Sequence, residues 1–198
     1  MSNFILIKII NIYLIFFACL NVYCQQPDKI LWTEKQKLTW DDFLGSSANE
    51  SKTSATTSSG ISYTPIIKAD SLTLLVECYF EKKESFVKPE CLTAHILNHE
   101  QKHFDMTEIF ARKLRKSFLE YKFNRRTLKV DLTNMFNKIL DELDTKQDLY
   151  DAETWHSKEK EEQLRWDKKI QNELKSLEKY SDSKIKTTMK IEQVVVED

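Results

Sequence analysis

The sequence predicts an α+β fold: a small antiparallel sheet packed against one long helix and further C-terminal helices. Three observations carry this prediction. Leu72, Leu74, Val76, Cys78 and Phe80 occupy alternate positions, which puts them on one face of a strand. From Cys91 to Phe118 there is no Gly or Pro, and Leu92, Ile96, His99, His103, Phe110 and Leu114 recur at helical spacing. Leu132, Phe136, Ile139 and Leu143 continue that spacing between Asp131 and Leu149. Strands followed by helices, each with one apolar face, must bury those faces against each other.

The elements follow in chain order. Met1 to Cys24 has Lys8 as its only charged side chain and an apolar run from Ile9 to Leu20 broken only by Asn11. This reads as a signal peptide cleaved before Gln25, since the apolar core is shorter than the roughly 20 residues a spanning helix needs. The protein is therefore expected to be periplasmic or secreted, with a domain over residues 25–180 and a charged tail over 181–198. Ile30-Leu31-Trp32 is a short apolar run. Leu38 to Phe43 reads as a turn or helix start carrying Trp40 and Phe43 into the core, with Thr39 or Asp41 as its cap. Ser46 to Ser59, rich in Ser and Thr, reads as an exposed loop. Strands at Gly60 and Leu72 form a hairpin across Lys68 to Ser71. Pro89 suits the start of the long helix. Tyr150 to Tyr180 carries Leu164, Ile170, Leu174 and Leu177 on a charged background, as a continuation of the previous helix or a new one. Glu192 to Val196 has the composition of a last strand.

Composition excludes several functions. The chain has 198 residues, 30 Lys+Arg against 31 Asp+Glu, and 41% hydrophobic residues, enough for one domain without the positive field that phosphate binding requires. Two Gly, neither in a phosphate-binding motif, exclude nucleotide folds built on Gly-rich loops. After cleavage only Cys78 and Cys91 remain, and an even pair in an exported chain predicts a disulfide.

Chemistry concentrates in His99-Glu100-Gln101-Lys102-His103. Of the four histidines three lie in nine residues, His95, His99 and His103. On a helix His99 and His103 lie about 40° apart, one turn above the other, so both imidazoles reach one cation. Glu100 projects beside them, placed to take a proton from a metal-bound water. His95, two turns from His103, reads as a packing residue or a support for a ligand. A catalytic Zn2+ takes three protein ligands and keeps one open position. The remaining histidine, His156, is the expected third ligand, with Glu153 next and Asp151 also open. Tyr150 is the candidate oxyanion donor, and the Leu72 to Phe80 strand, if it lies at a sheet edge, can pair with an extended substrate.

The chain resembles the bacterial family catalogued as domain of unknown function 922, described as predicted secreted zinc-dependent proteases. The resemblance rests on Leu38 to Gly45, Ser59 to Tyr63, Glu84 to Lys88, His99 to Asp105 and Tyr150 to His156. Ser157 departs from it, standing where the family usually has Gly. Asp105 belongs to the shared motif but lies about 240° around the helix from His99, so it reads as a structural bond to the layer behind, around Trp40 and Asp42. The resemblance implies a zincin-like fold and hydrolysis of a peptide or protein substrate by zinc, with no nucleic acid or nucleotide. The rival reading is an envelope binding module in which the same ligands close a structural zinc site. A coiled-coil face over Ser157 to Lys179 ranks last, because its apolar positions are too irregular for heptads.

Overall fold

Every second residue of Ser71–Glu81 is buried, which makes this strand, β4, the spine of the sheet. The computed structural model describes residues 28–46 and 53–190; the proposed signal peptide and the proposed strand at 192–196 lie outside them. The strands before β4 are β1 (Lys29–Leu31), β2 (Ala55–Thr56) and β3 (Ser59–Lys68). After it come β5 (Phe86–Val87), α1 (Ala94–Glu120), β6 (Phe123–Asn124), α2 (Leu128–Thr154), α3 (Lys160–Ser176) and β7 (Lys184–Lys190). Three-residue 3-10 turns at Trp40–Asp42, Pro89–Cys91 and Glu178–Tyr180 complete the order.

β3 pairs antiparallel with β4 from Ser59↔Phe80 to Lys68↔Ser71, as the hairpin reading requires. The turn is made by Ala69 and Asp70, with Ala69 at φ 52°. The other edge of β4 pairs with β1 and with β7. β4 is thus an interior strand, so its backbone has no free edge to offer a substrate. β6 adds to β7 in parallel, and β2 with β5 forms a separate two-stranded ribbon. The tail expected from residue 181 instead enters the sheet at β7, where Ile185 and Met189 are buried.

Leu72, Leu74, Val76, Cys78 and Phe80 form the core with Phe104, Ile109, Phe110, Leu114 and Phe118 of α1. α1 contacts the sheet on one side and both α2 and α3 on the other. Being covered from both sides, it buries polar residues as well as apolar ones, among them Gln101, Asp105, Glu108, Arg112 and Arg115. Its start is set by Thr93, whose hydroxyl accepts from Ile96 N at 3.2 Å, after the 3-10 turn that Pro89 opens. Trp40 and Phe43 pack edge to face at 5.0 Å, and Asp42, three residues on, is the group that accepts from Thr39 N at 2.9 Å. A side chain at Gly45 would meet Lys83 O at 2.7 Å, so only Gly fits that approach.

Cys78 and Cys91 are separate thiols, not the expected disulfide. β4 carries Cys78 beneath α1, where Sγ lies 4.0 Å from Phe104 O. Phe104 is about 15 Å along the helix from its start, near which Cys91 sits, so the two thiols face different ends of the structure. Burial pushes the Cys78 thiol well above its ordinary range, and the Glu108 carboxylate adds to the shift.

Candidate metal centre

The two motif histidines arise from one face of α1, and both are buried, His99 3% and His103 8% exposed. Across from them, Gln147 and Asp151 stand one turn apart on α2. His99 Nε2 lies 3.0 Å from Asp151 Oδ1, His103 Nε2 lies 3.0 Å from the same oxygen, and the two Nε2 atoms are 3.2 Å apart. These three residues form the one group among the described residues able to hold a metal ion. The opposite ring nitrogens are engaged from behind: His99 Nδ1 lies 3.0 Å from Gln163 Oε1, and His103 Nδ1 bonds Gln147 Oε1. A side-chain amide oxygen only accepts, so each ring carries its proton on Nδ1 and turns a lone pair inward. Two imidazole lone pairs and a carboxylate oxygen then meet with no donor among them, which is the donor set of a divalent cation.

Electrostatics agree with that geometry. Against burial, which would raise it, the contacts with His103 and His99 hold the Asp151 carboxyl well below the usual carboxylate range. Burial lowers the affinity of His103 for a proton, but Asp151, Glu100 and Gln147 together raise its pKa above the ordinary value.

Glu100 is also buried, and Thr57 donates to its Oε2 at 2.7 Å. Its Oε1 has no protein partner among the described residues. Glu100, His99, His103, Asp151 and His156 line one cavity of about 710 Å3, walled on the far side by residues 53–59. The Ser/Thr-rich segment expected to be an exposed loop therefore closes the site, with Ala55 buried and β2 paired to β5.

The expected third ligand is corrected. His156 is exposed, and its Nδ1 lies 3.4 Å from Asp151 Oδ2, so it faces the carboxylate from outside instead of joining the imidazoles. α2 ends at Thr154, and Trp155, His156 and Ser157 all take positive φ, 46°, 50° and 72°, which swings His156 off the helix face. Asp151, still on α2, points to α1. Glu153 accepts from Trp166 Nε1 at 2.7 Å and is spent on α3. Tyr150 does not reach the cavity either. Fully buried, it stacks on His99 at 4.6 Å and 18°, with its hydroxyl 2.9 Å from Gln163 Oε1, and burial raises its pKa far above the ordinary value.

Two lesser expectations can be placed. His95 bonds the Ser157 carbonyl and so ties the start of α1 to the left-handed turn. Asp105 is structural, as expected, but its partner is Trp32, whose Nε1 donates at 3.0 Å, with Gln101 and Lys102 donating to the same carboxylate. Sequence reasoning held Asp151 only as an alternative ligand and missed Gln147, Gln163 and Thr57. Carrying the Leu143 helix one turn further would have put Gln147, Tyr150 and Asp151 on its buried face.

This arrangement is a histidine- and carboxylate-lined site that could hold a metal ion, carried by an α+β fold. Residues 87–157 match the family model described as bacterial protein of unknown function (DUF922), and this stretch holds both motif histidines, Glu100 and Asp151. No curated protein and no solved structure matches the chain.

Proposed function

We propose that the chain is an exported zinc-dependent peptidase that hydrolyses peptide bonds with a metal-activated water. The observation that carries the reading is the convergence of His99 Nε2, His103 Nε2 and Asp151 Oδ1 beside a buried Glu100, all in one open cavity. His99, His103 and Asp151 would hold a zinc ion, which would supply Lewis acidity and activate water for attack. Glu100 then acts as general base, with Thr57 holding Oε2 and leaving Oε1 for the proton, which it passes to the leaving amine. Asp151, not His156, completes the ligand set. Export to the periplasm or beyond rests on the apolar leader Met1 to Cys24.

The test is hydrolysis of a mixed peptide library by zinc-loaded protein starting at Gln25. Glu100→Gln should keep the zinc and lose at least about 100-fold in rate, the range expected when a general base is removed. Hydrolysis that survives Glu100→Gln would contradict the assignment. Zinc bound without any hydrolysis would favour the structural-module reading.

A further inference from the structure

We infer that Gln163, on α3, is a positioning residue of the metal centre: it takes the Nδ1 proton of His99 so that the ring meets the cation through Nε2. The inference rests on the metal-centre reading above. Gln163 is 1% exposed, and its neighbours accept only one orientation of its amide. Asp167 presents a carboxylate, which only accepts. One of its oxygens takes a bond from Asn98 Nδ2 at 2.9 Å, and the other lies 2.7 Å from the Gln163 amide nitrogen. The nitrogen must therefore face Asp167. That turns the amide oxygen to His99 Nδ1, 3.0 Å away, and the proton of His99 belongs on Nδ1.

Tyr150 holds the pair in plane. Its hydroxyl accepts from Gln163 Nε2 at 2.6 Å, while its ring lies stacked under His99. The path runs Asn98 to Asp167 to Gln163 to His99, from the first turns of α1 through α3 and back to α1. His103 has an equivalent partner in Gln147, but that residue lies on α2 inside the matched stretch 87–157, whereas Gln163 lies beyond it. α3 thus supplies half of the device that aims the ligands. A glutamine in this role fixes the tautomer without adding charge to the site.

The experiment is zinc affinity, measured by competition with a chromophoric chelator on the chain starting at Gln25. Gln163→Leu should bind zinc about 10–100-fold more weakly, the usual cost of losing a hydrogen-bond partner of a ligand histidine. Gln163→Glu combined with Asp167→Asn restores an acceptor for His99 and a donor behind it, and should return the affinity to near the wild-type value. Long-range 1H–15N spectra of the zinc-loaded wild type should show His99 protonated at Nδ1, which a merely structural role would not require. Wild-type affinity in Gln163→Leu, failure of the double variant to recover, or zinc on His99 Nδ1 would overturn the inference while leaving the centre in place. A wild-type chain that binds no zinc would overturn the centre on which it rests.

Discussion

Two buried polar clusters share α1, about 140° apart around the helix from His103 to Glu108, and they are built on opposite principles. In the first, Glu108 accepts from Arg112 Nε at 2.9 Å and from Arg115 Nη1 at 2.8 Å. Arg115 also donates to Val76 O and Tyr180 O, and Arg112 to Leu174 O. Every charge there meets its complement, and the cluster pins the sheet to α1 and to the C-terminal end of α3. In the second, His99, His103 and Asp151 turn lone pairs toward one point, with Glu100 adding a further negative charge. The first cluster is complete as protein; the second is complementary to a cation. Burial of polar groups alone therefore does not mark a site. What marks it is convergence of acceptors without a donor.

The largest effect should come from breaking the self-sufficient cluster. Glu108→Ala strands two buried guanidinium groups and should cost about 3–5 kcal/mol, a large part of the stability of a domain this size, read by urea unfolding. A loss below about 1 kcal/mol would mean that the carbonyls suffice without the carboxylate.

The metal-free second cluster should respond to pH instead. Asp151 has its pKa depressed in the fold, so its contribution is present above the unfolded value near about 3.9 and is lost as pH falls through the folded one. His103 has its pKa raised, so its contribution is full below about 6.5 and is lost as pH rises through its folded value. Both act between about pH 4 and 6.5. In chelator, Asp151→Asn should therefore destabilise the protein more at about pH 5.5 than at about pH 8. Equal losses at the two values would contradict the charge pairing.

The smallest effect concerns the turn that carries His156 off the helix face. Ser157 holds φ 72°, a conformation that suits Gly and strains a side chain. Ser157→Gly should raise stability by up to about 1 kcal/mol in thermal unfolding, without changing zinc affinity. A loss of stability would mean that the buried Ser157 side chain supports the turn more than its backbone strains it.

What was legible in the sequence was periodic. The alternation in β4 and the unbroken helical run of α1 each need only their own residues to be read, and the histidine spacing follows from the helix. The third ligand was not legible in the same way. Asp151 and His156 are five residues apart, and only the left-handed turn after Thr154, unmarked by any Gly, decides which of them faces α1. The approach of Thr57 to Glu100 and of Gln163 to His99 depends on packing between distant segments, which no local pattern encodes. The disulfide expectation failed for a similar reason: two cysteines 13 positions apart are separated in space by the helix that begins just after the second.

The most direct test of the central claim is zinc stoichiometry by elemental analysis of the protein starting at Gln25, with Asp151→Asn and His156→Ala alongside the wild type. The account predicts one zinc per chain in the wild type and in His156→Ala, and its loss, or an affinity at least about 100-fold weaker, in Asp151→Asn. Zinc kept by Asp151→Asn and lost by His156→Ala would contradict it, as would a wild-type chain that binds none.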